Sequence, residues 1–329
     1  MANHLNLSTT TLSLVLNSSP GSSSIPQETK DRIFEAAAEF NYRPNYFARS
    51  LRAQKSFTVG VIVAELSDGY SAMVLNGVES VLVKENYFYL TASHLHRDDL
   101  LEKNPQILME RQVEGIIAVD TPIRFKPILP VVNVSGHENI FGVTNVILNH
   151  QKAAELGIRH LVELGHREIA VIKGQEFSAD TEIRFRTIAD EAAKQGITID
   201  PELTYQLKGD TPSPQIGYIA ARELLASKRK FTALFAFNDI SAIGAIRAFR
   251  ESGLKTPEDI SVLGFDDIYS AAYHNPALTT IRQPLFEMGE LAAQTLLEKL
   301  GKPHDIKKYD TLTVEPQLII RQSTAIAKS

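Results

Sequence analysis

From Thr58 onward the chain alternates short apolar, β-rich runs with helical stretches, and this alternation restricts the possible folds more than any other feature. The expected strands are Thr58–Val63, Phe88–Ala92, Gly115–Val119, Pro130–Val134, Ile169–Ile172, Ala233–Phe237 and Ile260–Gly264. Helical periodicity fills the gaps at about 72–84, 98–111, 150–163, 181–195, 214–227, 240–251 and 285–300. Continuously apolar strands belong in parallel sheets covered by helices on both faces. So many elements exceed a single sheet of the usual ~5–6 strands, which predicts two similar α/β lobes. The cleft between them is the natural ligand site, because open parallel sheets present their carboxyl strand ends and loops there.

The first 55 residues have a different texture, short helices separated by punctuation, with the serine- and proline-rich stretch Ser18 to Pro26 in the middle. Ser8 to Asn17 reads as a short helix capped by Ser8. Hydroxyl side chains (Thr9, Thr10, Thr11, Ser13) line one face, and Leu12, Val15 and Leu16 the other. Such hydroxyls can reach both phosphates and base edges; the same pattern also suits an ordinary capped surface helix. A second signal is Tyr42-Arg43-Pro44-Asn45-Tyr46-Phe47-Ala48-Arg49-Ser50-Leu51-Arg52, after the helical pattern of Gln27–Phe40. Pro44 ends the preceding structure, Asn45 can cap a new short helix, and Arg49 and Arg52 flank the apolar Leu51.

Charge follows the same division. The net charge is −5, yet residues 1–58 hold six Lys/Arg against four Asp/Glu. A mildly basic head on an acidic body permits phosphate contact by one end. The chain has no cysteine, which excludes disulfides, thiolate metal sites and cysteine nucleophiles. No basic-then-apolar leader opens it and no run of 18 apolar residues occurs, so neither export nor a membrane span is expected. The expected setting is the cytoplasm, without a cofactor.

Within the core, Tyr70, Asn238, Asp266 and Asp267 fall on loops after expected strands, and Arg184 opens a helix. Carboxylate, guanidinium, amide and aromatic ring together suit a sugar or small polyol, whose hydroxyls both donate and accept. Taken singly, Asn-Asp and Asp-Asp are also favoured in turns and helix caps. No nucleophile elbow, phosphate-binding Gly-rich loop or His-Glu-x-x-His motif occurs, so an enzyme is not expected. His94, His96, Asp98 and Asp99 cluster after a strand but read as a solvated polar loop, and no metal is expected.

Several of these segments carry a resemblance. Ser8 to Asn17 resembles the helix-turn-helix of the lac-repressor (LacI/GalR) family, and Tyr42 through Leu51 its hinge segment. Leu164-Gly165-His166-Arg167, Phe237-Asn238-Asp239, Pro257 to Asp267, Pro276 to Ile281 with Gln283-Pro284, and Arg321 to Thr324 are similar to that family's motifs in the same order. The resemblance implies a small all-α helix-turn-helix head followed by an α/β core of two similar parallel-sheet lobes, like a periplasmic binding protein. It implies a head over 1–43, a hinge helix and linker over 44–57, and a core over 58–329. The N-lobe would span about 58–148 and 282–312, and the C-lobe about 149–281 and 313–329.

It further implies a homodimeric transcription regulator, a repressor by family habit, on palindromic operator DNA under control of a small sugar-like effector. DNA contact would fall to Ser8, Thr9, Thr10, Thr11, Ser13, Asn17, Tyr42, Asn45, Arg49 and Leu51, with Leu51 as a minor-groove wedge. Arg184, Asn238 and Asp266 match effector-contacting positions, with Tyr70 and Gln283 at the cleft edge. Leu14 stands where the family commonly has a guanine-reading arginine, which implies an altered operator, and Asn149 stands where an aspartate is frequent at the lobe crossover. The family's first helix begins upstream of the position matched by Ala2, so the expectation is either a start codon upstream of Met1 or a regulator with an impaired head. A periplasmic-type sugar-binding protein shares the expected core, and the head is what distinguishes the two.

Overall fold

The computed structural model describes residues 1–16, 20–42, 55–66, 69–209, 213–300, 302 and 308–328. The chain divides into two compact units, Met1–Ser56 and Phe57–Ser329. Among the expected DNA-contacting positions, Asn17, Asn45, Arg49 and Leu51 lie outside the described residues.

The first unit contains α1 (Ala2–Leu5), α2 (Thr9–Leu16), a 3-10 turn (Pro20–Ser24) and α3 (Gln27–Glu39). Leu5, Leu12, Val15, Ile33 and Ala36 close a small core. The Ser8 hydroxyl accepts from the Thr11 backbone N–H at 3.0 Å, so α2 starts where its cap dictates. With Leu12 and Val15 committed to the core, Thr9 and Thr10 are exposed and Thr11 and Ser13 half-buried.

The second unit contains two six-stranded sheets. The N-lobe sheet comprises β1 (Thr58–Val63), β2 (Phe88–Ser93), β3 (Ile116–Val119), β4 (Val131–Val134), β5 (Val143–Leu148) and β11 (Asp310–Val314). Its order is β11-β5-β4-β3-β1-β2 and every pairing is parallel. The C-lobe sheet comprises β6 (Ile169–Lys173), β7 (Thr204–Gln206), β8 (Ala233–Phe235), β9 (Ser261–Asp266), β10 (Thr279–Arg282) and β12 (Gln317–Ile319). Its order is β12-β10-β9-β8-β6-β7, parallel except for the β10–β12 edge pair. Helices cover both sheets: α4 (Gly69–Lys84), α5 (Asp98–Glu110) and α11 (Leu285–Leu300) in the N-lobe, and α6 (His150–Glu163), α7 (Asp180–Lys194), α8 (Pro214–Ala226), α9 (Asp239–Glu251) and α10 (Tyr269–Tyr273) in the C-lobe.

The two expected lobes are therefore present, with strands that the periodicity did not mark. β5, β7, β10, β11 and β12 are short or interleave Thr, Asn and Gln with apolar residues, so no apolar run announces them. Phe237 lies beyond the end of its strand, where the chain has turned to cap α9. Arg184 does not open a helix: α7 starts four residues earlier, at Asp180.

Three segments cross between the lobes, β5 to α6, β10 to α11 and β11 to β12. Asn149 caps α6 by accepting from the Lys152 N–H at 3.0 Å, and its Nδ2 donates to Glu315 at 3.0 Å, so two crossovers are tied together. Among the described residues, no helix is long and apolar enough to cross a membrane.

Candidate effector cleft

The carboxyl ends of β1, β3, β4, β6, β8 and β9 open toward one cleft between the lobes, because each sheet is wound in the same parallel sense. Its central cavity encloses about 560 Å³, part of it open to solvent. Tyr70, Arg184, Asn238, Asp266 and Gln283, the five positions expected to meet a small ligand, all line it. They come from five separate segments, so only the tertiary fold brings them together.

Arg184 is 4% exposed. Its Nη1 donates to the Phe237 carbonyl at 2.6 Å and its Nη2 to Asp180 Oδ2 at 2.8 Å. The guanidinium lies 4.4 Å from the Phe237 ring centroid and 3.8 Å from that of Phe265, so both ring faces help to hold the buried charge. The buried Nε has no protein partner. Each terminal nitrogen is thus engaged once by the chain, and the guanidinium acts as a fixed wall of the cavity whose Nε is left without a protein partner.

Asp180 carries the densest contacts in the cleft. Its Oδ1 accepts from His137 Nε2 at 2.6 Å and from His150 Nε2 at 3.1 Å, while Oδ2 takes Arg184. Burial alone would raise its pKa, but His150, His137 and Arg184 together hold the carboxyl well below the usual range. His137 belongs to the loop after β4 in the N-lobe and Asp180 to the C-lobe, so this contact spans the cleft. Two others do as well: His96 packs on Phe177 with ring centroids 3.8 Å apart, and Ser178 Oγ donates to Asp120 Oδ1 at 3.4 Å.

The remaining expected residues divide between structural and ligand duties. Asn238 caps α9 in a capping box, its Oδ1 accepting from the Ser241 N–H at 2.9 Å, which leaves the amide Nδ2 to face the cavity. Asp266 accepts from Gln283 Nε2 at 2.7 Å and holds φ at +107°, a strained value of the kind that clusters at binding sites. Gln283 Oε1 is buried without a protein partner. Tyr70 Oη is 2.6 Å from Ser135 Oγ; burial, with Asp180 and Asp120 adding, pushes its phenol well above the ordinary range. Asp267 turns away and pairs with Arg282 and Arg321, each at 2.7 Å. Asp239 is fully buried and accepts from Thr280 Oγ1 at 2.6 Å and the Ile268 N–H at 2.9 Å. Burial and the nearby Asp266 push its carboxyl well up, which marks a structural role.

Reading from sequence missed Glu65, Asp120, Gln175, Asp180, His137 and His150. Asp120 and Gln175 follow expected strands by one to three residues, the same rule that found Asn238. Asp180 stands four residues before Arg184 on one helix face, a spacing that allows an ion pair. The two histidines carry no local signal. Of the sequence cluster His94 to Asp99, His94 is buried with Nδ1 accepting from the His96 N–H at 3.1 Å, and Asp99 pairs with Arg97 at 2.9 Å.

Comparison with known proteins matches both units. Residues 1–45 match the family model of bacterial regulatory proteins, lacI family, and residues 158–324 that of the periplasmic binding protein-like domain. The ribose operon repressor of Haemophilus influenzae is 30% identical over 323 residues, covering 96% of this chain and 95% of that protein. The HTH-type transcriptional repressor PurR of Aliivibrio fischeri is 32% identical over 330 residues, covering 96% and 95%. A crystal structure of the Lac repressor bound to ONPG in the repressed state superposes with a TM-score of 0.85 at 25% identity, covering 98% of each chain. A LacI family regulator from Enterococcus faecium with bound ribose gives a TM-score of 0.71 at 27% identity, covering 82% of this chain and 100% of that one.

Proposed function

The chain belongs to the lacI family of bacterial regulatory proteins, and from that premise we propose that it is a cytoplasmic, homodimeric transcription repressor, not an enzyme. In this reading the head, residues 1–43, binds a palindromic operator, and a small sugar-like effector in the cleft sets its affinity. Thr9, Thr10 and Ser13 on α2 read base edges in the major groove. Ser8, Thr11, Asn17, Tyr42, Asn45 and Arg49 contact the backbone or position the hinge. Leu51 from each subunit wedges into the central minor groove.

The observation that carries the reading is the convergence of Tyr70, Arg184, Asn238, Asp266 and Gln283 on one cavity between the lobes. Carboxylate and amide acceptors beside amide and guanidinium donors suit hydroxyl groups, and the Phe177 and Phe237 rings offer faces for an apolar sugar surface. An effector with different affinity for open and closed lobes shifts their equilibrium and, through the hinge, the affinity for DNA. The relatives, a ribose operon repressor and the HTH-type transcriptional repressor PurR, support a repressing role.

The test is selection of binding sites from randomised duplexes by the full chain at fixed moderate salt, since phosphate contacts depend on salt. A recovered palindrome with a deformable central step is the expected result, and Leu51→Ala then weakens specific binding while leaving effector affinity unchanged. Recovery of no sequence preference at that salt overturns the reading.

A further inference from the structure

His137, His150 and Asp180 stand apart from the rest of the cleft. Their ligand atoms, two imidazole Nε2 and one carboxylate oxygen, all lie within 4.8 Å of one another. They come from three elements: the loop after β4, the start of α6 and the start of α7. His150 and Asp180 are buried, and the His137 side chain is 18% exposed. We propose that these three side chains form a divalent transition-metal site whose occupation clamps the N-lobe to the C-lobe. This goes beyond control by a sugar and stands whether or not the cleft also holds one.

The donor set is the first argument. Two borderline imidazoles with one hard carboxylate are a set that suits zinc, cobalt or nickel, and three protein ligands leave a fourth position for water or an effector hydroxyl. That position is accessible, because Asp180 lines the central cavity while His137 lines the neighbouring one, and His96 and Asp120 border both.

Geometry is the second. Metal–ligand bonds of about 2.0–2.2 Å in a tetrahedron put ligand atoms about 3.3 Å apart. The present separations from Asp180 Oδ1 are 2.6 Å for His137 and 3.1 Å for His150. His150, at the start of a helix, is therefore almost in place. His137 must withdraw by less than about 1 Å, which its loop position permits. Arg184 on Oδ2 aims Oδ1 at the imidazoles, the orienting role that outer partners take around metal ligands.

Electrostatics is the third. The central cavity is lined by four carboxylates, Glu65, Asp120, Asp180 and Asp266, and by one guanidinium, Arg184. A divalent cation reduces that imbalance, whereas an anionic ligand would enlarge it. The His150 Nε2 that now meets Asp180 Oδ1 at 3.1 Å would turn to the ion. One feature opposes binding: with Nε2 on a metal the ring proton moves to Nδ1, which is buried without a protein partner. An unpaired buried donor weakens the site by roughly 10- to 100-fold. The expected affinity is accordingly that of an exchangeable, sensing site and not that of a structural zinc.

The experiment is titration of the full chain, stripped with a chelator and buffer-exchanged, with Zn²⁺ by calorimetry and with Co²⁺ by visible absorption, in the absence of DNA and sugar. The expected result is one ion per chain and the strong visible bands of tetrahedral cobalt. His137→Gln, at a loop position where the side chain is 18% exposed, should lower the affinity at least tenfold. His150→Gln should do the same, and His274→Gln, which is outside the ligand set and lines neither cavity, should not. Failure of the wild type to take up Co²⁺, or wild-type affinity in His137→Gln, overturns the proposal. Neither outcome bears on operator binding, which is measured separately.

Discussion

Replacing Asp180 by asparagine keeps the shape of the side chain and removes the charge that three partners share. Asp180 and Arg184 are each 4% exposed, and the carboxylate receives Arg184 at 2.8 Å, His137 at 2.6 Å and His150 at 3.1 Å. All three partners donate, so an asparagine Nδ2 in either orientation faces a donor with a donor. The guanidinium keeps only the Phe237 carbonyl and the two ring faces as compensation. Removing one member of a buried ion pair costs about 3–5 kcal/mol. The ring faces offset about 1–2 kcal/mol of that at a desolvated site, which puts the expected loss at about 3 kcal/mol. With a urea dependence of about 3 kcal/mol per molar, the unfolding midpoint should fall by about 1 M. Because the chain has no tryptophan, the assay is far-ultraviolet circular dichroism with a chelator present. The double variant Asp180→Asn with Arg184→Met removes both charges together, and should lose about 1–3 kcal/mol less than the sum of the singles. A midpoint within about 0.3 M of wild type, or strictly additive losses, would refute the view that the carboxylate holds this network together.

Three other outcomes follow from the same packing. His94 is 2% exposed and accepts a backbone N–H on Nδ1, and burial pushes its pKa down to about 4. The fold therefore keeps the ring neutral. Its contribution is complete above the unfolded value near 6.5 and is lost as the pH falls from there toward 4, a change of about 3 kcal/mol. Thermal melts across that interval should show a shallower decline for His94→Gln than for wild type. Ile33→Ala deletes a fully buried side chain from the five-residue head core and should cost about 2–5 kcal/mol. Limited proteolysis should find the head cleaved and the two lobes intact, with operator affinity lost and effector affinity kept. In Gly289→Ala the new Cβ would run into the Val74 carbonyl on α4, where α4 and α11 approach backbone to backbone. Helix propensity favours this change by about 1 kcal/mol, yet overpacking costs about 1–3 kcal/mol, so the melting temperature should fall; a rise would show that the two helices can separate freely.

Much of the architecture was legible because it is periodic. Runs such as Thr58–Val63 and Ile116–Val119 are buried along their whole length in parallel sheets, so their apolar character survives in the sequence without reference to neighbours. The helices between them carried the 3.6-residue period for the same reason. The strands that escaped notice, such as β7 and β12, are three-residue sheet edges, β10 has a single apolar residue after two threonines, and β11 alternates threonine with apolar residues. Pairing rather than composition makes such segments strands.

The ligand cleft divides in the same way. The chain sequence alone determined that polar groups would gather where strands end, and Asn238 and Asp266 stand there because a parallel sheet delivers its loops to one edge. It also determined the head, through Ser8, Leu12 and Val15, since a cap and an apolar stripe are local properties. Only the tertiary structure decided which of the cleft groups are spoken for. Asn238 spends its carbonyl on a helix cap, Asp267 turns away to two arginines, and Arg184 has both terminal nitrogens engaged. The meeting of His137, His150 and Asp180 was likewise decided only there. Thirteen residues separate the first two and thirty the next, with a lobe crossover between His137 and His150. No periodicity or cap spans that interval, because the contact arises from two sheets facing each other and not from any segment's own preference.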